Sequence, residues 1–210
     1  FVICPICSGT NVFSFQLIGS IEYFRCKTCQ GLFTDPKSRL SPEEEKERYS
    51  LHNNDVDDPE YRKFLSKLYY PLIKKLKKES IGLDYGCGPG PALASMLREE
   101  GFSVDIYDPY FFPNESYRDK VYDFITCTEA AEHFYEPQRE FNKLDQVLAD
   151  KGILGVMTNF YEDTINFEDW YYRKDPTHVV FYTAKTLQCI AEERSWKVDI
   201  QSKNVVFFKK

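Results

Sequence analysis

From Ile81 onward, short apolar runs alternate with longer amphipathic stretches, the rhythm of strands followed by covering helices. The pattern predicts strands at 81–85, 103–107, 121–127 and 152–159, and helices at 90–100, 137–149 and 183–194. Two closing strands, 196–201 and 204–208, stand close enough to pair as a hairpin around Ser202-Lys203. This alternation argues for an α/β fold, a parallel sheet covered by helices and finished by an antiparallel hairpin. Upstream, Tyr61, Phe64, Leu65, Leu68, Leu72, Ile73 and Leu76 form one apolar face at helical spacing. Asp58-Pro59 supplies the N-cap and first helical residue, and Pro71 predicts a kink. The polar stretch from Pro36 to Asp58 reads as a linker with a short helix at Pro42–Tyr49 and a solvated His52. Before it lie two β-prone runs, Asn11–Ile18 and Ile21–Arg25, joined through Gly19-Ser20. The chain therefore divides into a small unit at 1–35, a linker at 36–58 and a main domain at 59–210.

At 210 residues the chain can bury one good core and carry a small appendage. A net charge of −6 argues against sequence-independent binding of long nucleic acids, which relies on a basic face. The local basic run Lys74-Lys75-Leu76-Lys77-Lys78 ends a predicted helix, where cations favour the dipole, and reads as a solvated helix end. No apolar stretch approaches the ~20 residues that cross a bilayer, and no signal peptide is visible after Phe1. A cytoplasmic location and no membrane partner are the simplest expectation.

Seven cysteines change the picture of the first 35 residues. Cys4-Pro5-Ile6-Cys7 and Cys26-Lys27-Thr28-Cys29 are two Cys-x-x-Cys knuckles with 18 residues between them. Two knuckles on a hairpin place Cys4, Cys7, Cys26 and Cys29 around one tetrahedral centre, the zinc-ribbon arrangement. Two disulfides are the competing reading, opposed by the expected reducing compartment. Four thiolates leave no open position, so the zinc would be structural or help dock a substrate. Cys87, Cys127 and Cys189 lack such partners and read as small buried hydrophobes.

The candidate chemistry begins at Leu83-Asp84-Tyr85-Gly86-Cys87-Gly88-Pro89-Gly90, a strand ending in a glycine-rich turn ahead of the helix Pro91–Glu100. Glycines at 86, 88 and 90 let the backbone pass under a ligand, and the helix start offers free N–H groups. Asp84 lies at the strand end and Asp108 closes the next apolar run, Val104–Tyr107. Together these residues resemble motif I of the class I S-adenosylmethionine-dependent methyltransferases, which implies a Rossmann-like sheet with an antiparallel terminal hairpin. The resemblance spans about 150 residues. It implies that Gly86, Cys87, Gly88 and Gly90 line the methionine part of the cofactor with Asp84 nearby, and that Asp108 holds the ribose hydroxyls. Thr128 and Glu129 would border the transferring methyl. The stretch between Asp108 and Tyr122 is too short for the further strand and helix of the fuller family plan. Tyr107, Tyr110, Phe111 and Phe112 would there stack on the adenine or form a hydrophobic lid.

A second constellation follows the strand Tyr122–Cys127, whose tip faces the ligand cleft. Glu129, Glu132 and His133 have the i, i+3, i+4 spacing of one helical face, and His178 in Asp175-Pro176-Thr177-His178 folds back from a later segment. Two carboxylates and two imidazoles suit Mg²⁺, Mn²⁺ or Fe²⁺ at a site with open positions. Without a metal, His133 or His178 would be a general base or substrate contact, or a hydrogen-bonded structural histidine. The Glu-x-x-Glu-His pattern with its later histidine resembles the metal-assisted 2′-O-methyltransferases of small-RNA ends and the ubiquinone-pathway O-methyltransferases. The run Asp175–Thr183 is similar to a segment of bacterial zinc-ribbon-bearing methyltransferases. Asn159, Phe160, Tyr161, Trp170, Tyr171 and Tyr172 supply an aromatic loop where an acceptor substrate would lie, with core packing the alternative for each.

The sequence thus points to methyl transfer from S-adenosylmethionine to a small-molecule hydroxyl, with His133, His178 and Glu129 as catalytic candidates. A silent cofactor-binding or partner-binding module, using the ribbon for recognition of a protein or a second copy, is the alternative. A nicotinamide oxidoreductase fits less well, because its spacing is Gly-x-Gly-x-x-Gly and here it is Gly-x-Gly-x-Gly.

Overall fold

The computed structural model describes residues 2–51 and 55–210, and His52 lies outside the described residues. In chain order it contains strands β1 (Val12–Ile18), β2 (Ile21–Cys26) and β3 (Leu32–Thr34), then helices α1 (Pro42–Ser50) and α2 (Pro59–Ile73). There follow β4 (Ile81–Tyr85), α3 (Ala92–Glu99), β5 (Ser103–Tyr107), β6 (Tyr122–Thr128), α4 (Pro137–Val147) and β7 (Leu148–Met157). The chain closes with β8 (Val180–Phe181), α5 (Ala184–Glu193), β9 (Lys197–Ile200) and β10 (Val205–Lys209).

Six strands form the main sheet in the order β5-β4-β6-β7-β10-β9. The first four run parallel, and β10 is antiparallel to both β7 and β9, as the alternation and the closing hairpin predict. The parallel strands therefore end on one edge, where an open α/β sheet places its ligand crevice. Between β5 and β6 the described chain forms only an Asp108–Phe112 bridge and a 3-10 turn at Glu115–Asp119. The sheet accordingly stops at β5, in keeping with the short 108–122 interval.

Helix α2 is capped by Asp58, whose carboxylate accepts from the Glu60 and Tyr61 N–H groups, and it buries Leu65, Leu68, Tyr69 and Leu72. It ends at Ile73, so the basic run follows the helix instead of occupying its last turn. The expected break before 152 is also corrected: α4 passes directly into β7 at Leu148. Lys151, at φ 67° in the left-handed region, lies where β7 slips register against β6 between Leu148 and Ile153.

The other sheet, β1-β2-β3-β8, is antiparallel throughout. Its fourth strand comes from the far half of the chain: Phe33 pairs with Val180 and Leu32 with Phe181. Cys4, Ile6, Cys26, Cys29 and Phe33 lie in the same buried cluster as Leu83, Ile125, Phe141, Leu187 and Phe208. At Gly31 the two units touch: a Cβ there would collide with Ile6 Cδ1 of the same unit and meet Thr186 Cγ2 of α5 at 3.3 Å. Within the stretch read as linker, α1 starts with a Ser41/Glu44 capping box and turns Glu45 inward to 6 % exposure. No helix among the described residues is long and apolar enough to cross a membrane.

Candidate active site

The ends of β4, β5 and β6 open into a cavity of ≈ 720 Å³, within the range of small-molecule and cofactor sites. Its floor is the glycine turn. Gly86 (φ 75°) and Gly88 (φ 64°) hold left-handed backbone that a side chain would strain. A Cβ at Gly86 would also sit 2.6 Å from Ala130 Cβ. The Gly86 and Cys87 N–H groups donate to Tyr107 O at 2.8 and 3.1 Å, which ties the turn to the tip of β5. Helix α3 then begins without a side-chain cap from Pro91, and its Ala92 N–H is held by Gly90 O at 2.8 Å.

Asp108 is 7 % exposed and lines the cavity. Its Oδ2 accepts from Gly88 N at 2.9 Å, and its Oδ1 from Tyr110 N (2.9 Å) and Phe111 N (3.1 Å). Three backbone donors thus fix a carboxylate that has about four lone-pair sites. Tyr107, Tyr110 and Phe111 line the same cavity, whereas Phe112 closes the backbone bridge. Asp84 does not line it: the carboxyl is 2 % exposed and accepts from Thr126 Oγ1 at 2.7 Å. Burial pushes that carboxyl up to about 6, the Thr126 hydrogen bond opposing the shift. Gly90 is also outside the lining and accepts from Ala92 N, while Cys87 and Thr128 are part of the wall. Cys127 is fully buried, in line with a hydrophobic role; Cys189 is only half-buried.

Glu129, Glu132 and His133 do not share a helical face. Glu129 has φ 48° and donates its N–H to Met157 O, and only Ala131–His133 form one 3-10 turn. The reason is tertiary: the chain must pair with the end of β7 before it can turn. The turn nevertheless brings Glu132, His133 and His178 together, with one ligand-type atom from each within 4.8 Å of the others. Glu129 faces the same cavity outside that group. Burial, reinforced by the charge of Glu132, pushes the Glu129 carboxyl up to about 9.

Both histidines are oriented by backbone carbonyls. His133 Nδ1 is 2.9 Å from Thr177 O and His178 Nδ1 is 2.6 Å from Tyr172 O. A carbonyl only accepts, so each Nδ1 carries the proton and each Nε2 of the neutral ring keeps its lone pair. Burial lowers the His178 pKa and favours that neutral ring. Asp175 shapes the turn: its Oδ1 accepts from Thr177 N and Oγ1, and Arg48 of α1 reaches its Oδ2 at 3.2 Å. Although burial raises the Asp175 carboxyl, the Thr177 hydrogen bonds outweigh it and hold it at about 2.

Sequence reasoning did not place α1 at the site. Glu45 accepts from Tyr110 OH (2.6 Å) and Tyr135 OH (2.7 Å), while Tyr49 packs edge-on to His133 at 5.2 Å. This helix roofs the cavity between the β5 loop and the His133 turn. Its charged sequence gave no sign of that, because only a long-range partner reveals an inward glutamate.

The four knuckle cysteines also converge, with Sγ atoms all within 4.8 Å. Cys4–Cys29 and Cys7–Cys26 are each 3.7 Å apart, too far for a disulfide and close to the ~3.8 Å edge of a tetrahedron with 2.3 Å metal–sulfur bonds. The knuckles repeat one backbone pattern: Cys4 N to Gly9 O with Ser8 N to Cys4 O, and Cys26 N to Gly31 O with Gln30 N to Cys26 O.

A parallel sheet with its antiparallel closing hairpin, a glycine turn under the cavity and an acidic residue at the next strand tip define a class I methyltransferase. The chain belongs to the methyltransferase-domain family, whose profile matches residues 58–200. No curated protein matches the sequence. Among solved structures, the fold is similar to the PH0226 protein of Pyrococcus horikoshii (TM-score 0.52, 16% identity, covering 78% of this chain and 97% of that one). It is also similar to a SAM-dependent methyltransferase from Archaeoglobus fulgidus (0.51, 18% identity, 71% and 94%). An O-methyltransferase family protein from Burkholderia thailandensis gives 0.52 at 12% identity, covering 79% of this chain and 62% of that one. The protein is an S-adenosylmethionine-dependent methyltransferase.

Proposed function

We propose that the protein methylates a hydroxyl oxygen of a small-molecule acceptor, held in the half of the cavity bounded by Glu129, His133, His178, Asn159 and Tyr171. The observation that carries this reading is the pair of imidazole Nε2 lone pairs presented beside the glycine turn. S-adenosylmethionine supplies an electrophilic methyl group on a sulfonium. Gly86, Cys87, Gly88 and Gly90 carry the backbone past its methionine part, and Asp108 accepts from the ribose hydroxyls. Asp84 braces the turn from below through Thr126, and Thr128 and Glu129 border the reacting centre. Neutral His178, with His133 beside it, accepts at Nε2 the proton that the acceptor hydroxyl loses. Glu129, protonated at neutral pH by its raised pKa, donates a hydrogen bond to the acceptor. The remaining work is positioning.

A structural zinc at Cys4, Cys7, Cys26 and Cys29 completes the proposal, supported by the tetrahedral sulfur spacing and the paired knuckles. Units 1–35 and 59–210 are then a ribbon and a catalytic domain, joined by 36–58.

The test begins with calorimetric titration of S-adenosylhomocysteine into wild type and Asp108→Ala. Micromolar binding that the substitution abolishes supports the cofactor assignment. A panel of hydroxylated and aminated small molecules is then scored by S-adenosylhomocysteine release. Turnover confined to amines overturns the hydroxyl reading, as does full activity in His178→Ala.

A further inference from the structure

Glu132 is the most unusual side chain of the molecule. It is fully buried, and among the described residues neither carboxylate oxygen has a hydrogen-bond partner in place. The adjacent Tyr172 hydroxyl, 2.8 Å from Thr158 Oγ1, has one proton to give and cannot serve both oxygens. A buried carboxyl with both oxygens unpartnered is unfavourable unless a cation or a proton compensates it. What faces it is two imidazoles: His133 Nε2 lies 4.0 Å from Glu132 Oε1, and the two rings are 4.8 Å apart between centroids.

We propose that Glu132, His133 and His178 bind a divalent transition-metal ion through one carboxylate oxygen and two Nε2 atoms, and that the acceptor hydroxyl occupies one of its open positions. Two ligands on an ion with ~2.1 Å bonds are about 3.0 Å apart at a right angle and about 4.2 Å apart when opposite. The observed separation falls inside that span. Each histidine already has the outer hydrogen bond that metal-bound histidines show, Nδ1–H to a backbone carbonyl, so the rings are set before any ion arrives. Ligand choice selects the metal: two imidazoles and one carboxylate favour Fe²⁺, Mn²⁺, Co²⁺ or Zn²⁺ over Mg²⁺ or Ca²⁺, which take oxygen sets. Three protein ligands on one side leave the cavity side open. Glu129 is outside the ligand group, so the site has three protein ligands and not the four that the sequence spacing suggests.

The ion-binding half of this inference stands on geometry alone, and the acceptor half rests on the hydroxyl reading above. With the ion in place, both Nε2 lone pairs are engaged, so coordination makes the hydroxyl more acidic and its proton leaves to solvent water through the open cavity. His178 then acts as a ligand instead of the base of the metal-free reaction.

The experiment is titration of Co²⁺ into the 210-residue protein with zinc retained only at the four cysteines, followed by visible d–d absorbance. The thiolate charge-transfer region reports any exchange at the cysteines, and S-adenosylhomocysteine calorimetry on each sample reports folding. One equivalent of Co²⁺ without a thiolate band is expected, with affinity falling at least about tenfold in Glu132→Gln and His178→Ala. His178→Gln provides a second variant of similar size should the alanine form fail to fold. Absence of saturable absorbance in protein that binds S-adenosylhomocysteine overturns the metal site and leaves the methyltransferase reading intact. Co²⁺ binding that survives all three substitutions overturns it too, since the ion then lies elsewhere. Loss of S-adenosylhomocysteine binding with Co²⁺ binding retained overturns the cofactor assignment alone.

Discussion

Phe33 tests whether the four-cysteine ribbon and the methyltransferase sheet unfold as one body. The side chain is 1 % exposed, stacks on Phe24 at 5.7 Å between centroids, and sits on the strand that pairs with Val180. It shares a buried cluster with Leu83, Ile125 and Phe141 of the main sheet and its helices. Phe33→Ala removes a ring from a closed core, a change of about 3–5 kcal/mol. In a chain of this length each kcal/mol lowers Tm by roughly 2–4 °C, so the expected fall is about 6–20 °C. Scanning calorimetry with and without S-adenosylhomocysteine is the assay, because the ligand raises the transition of whichever unit holds the cleft. A single ligand-shifted transition, displaced downward as a whole, is the expected result. If the ligand-shifted peak stays at the wild-type temperature while a smaller separate peak drops, the shared core is not cooperative and the reasoning fails.

Three other outcomes follow from the structure. Burial raises Asp84 from 3.8 to about 6, so the stability present below pH 4 is lost as pH rises through 6, by about 3 kcal/mol. Asp84→Asn should therefore melt above wild type at pH 7 and match it near pH 4; equal melting at both values refutes the buried-charge account. Elemental analysis should find about one equivalent less zinc in Cys26→Ser than in wild type, together with a lower Tm; a wild-type Tm after chelation would show the cluster to be dispensable for folding. Glu45→Gln replaces a carboxylate that accepts from Tyr110 and Tyr135, weakening two charge-assisted hydrogen bonds. S-adenosylhomocysteine affinity should fall several-fold and protease cleavage near residue 51 should quicken. Unchanged values for both would mean that α1 does not roof the working site.

The sheet was legible because alternating apolar runs and amphipathic stretches have periods that a parallel sheet and its helices require. The knuckles were legible because metal spacing is local, and so was the glycine turn, whose left-handed residues at 86 and 88 are written as glycine. What failed was set at long range. Glu129 looked helical by spacing, yet its N–H is taken by Met157, 28 residues on, and the helix cannot start there. Strand β8 is two residues long and carries no periodicity, so nothing in Val180-Phe181 announced a partner near residue 33. Helix α1 is mostly acidic and basic residues, and its buried Glu45 is recognisable only from tyrosines 65 and 90 positions away.

Those long-range bonds explain why a ribbon accompanies this methyltransferase. Thr34 N donates to Val179 O at 2.9 Å, and Val179 N donates to Glu132 O at 2.9 Å. The last strand of the ribbon is thus linked through a single residue to the backbone of Glu132, and that residue directly follows His178. Asp175 holds the other side of the same turn and is itself gripped by Arg48 of α1. The two histidines and Glu132 therefore owe their mutual placement to β3 and α1 as much as to the sheet below them. A ribbon used only for docking would need no strand shared with the half of the chain that carries the cavity. Here β3 borders the segment that carries His178, so a disturbance at the cysteines should reach the His133–His178 side of the cavity before it reaches the glycine turn.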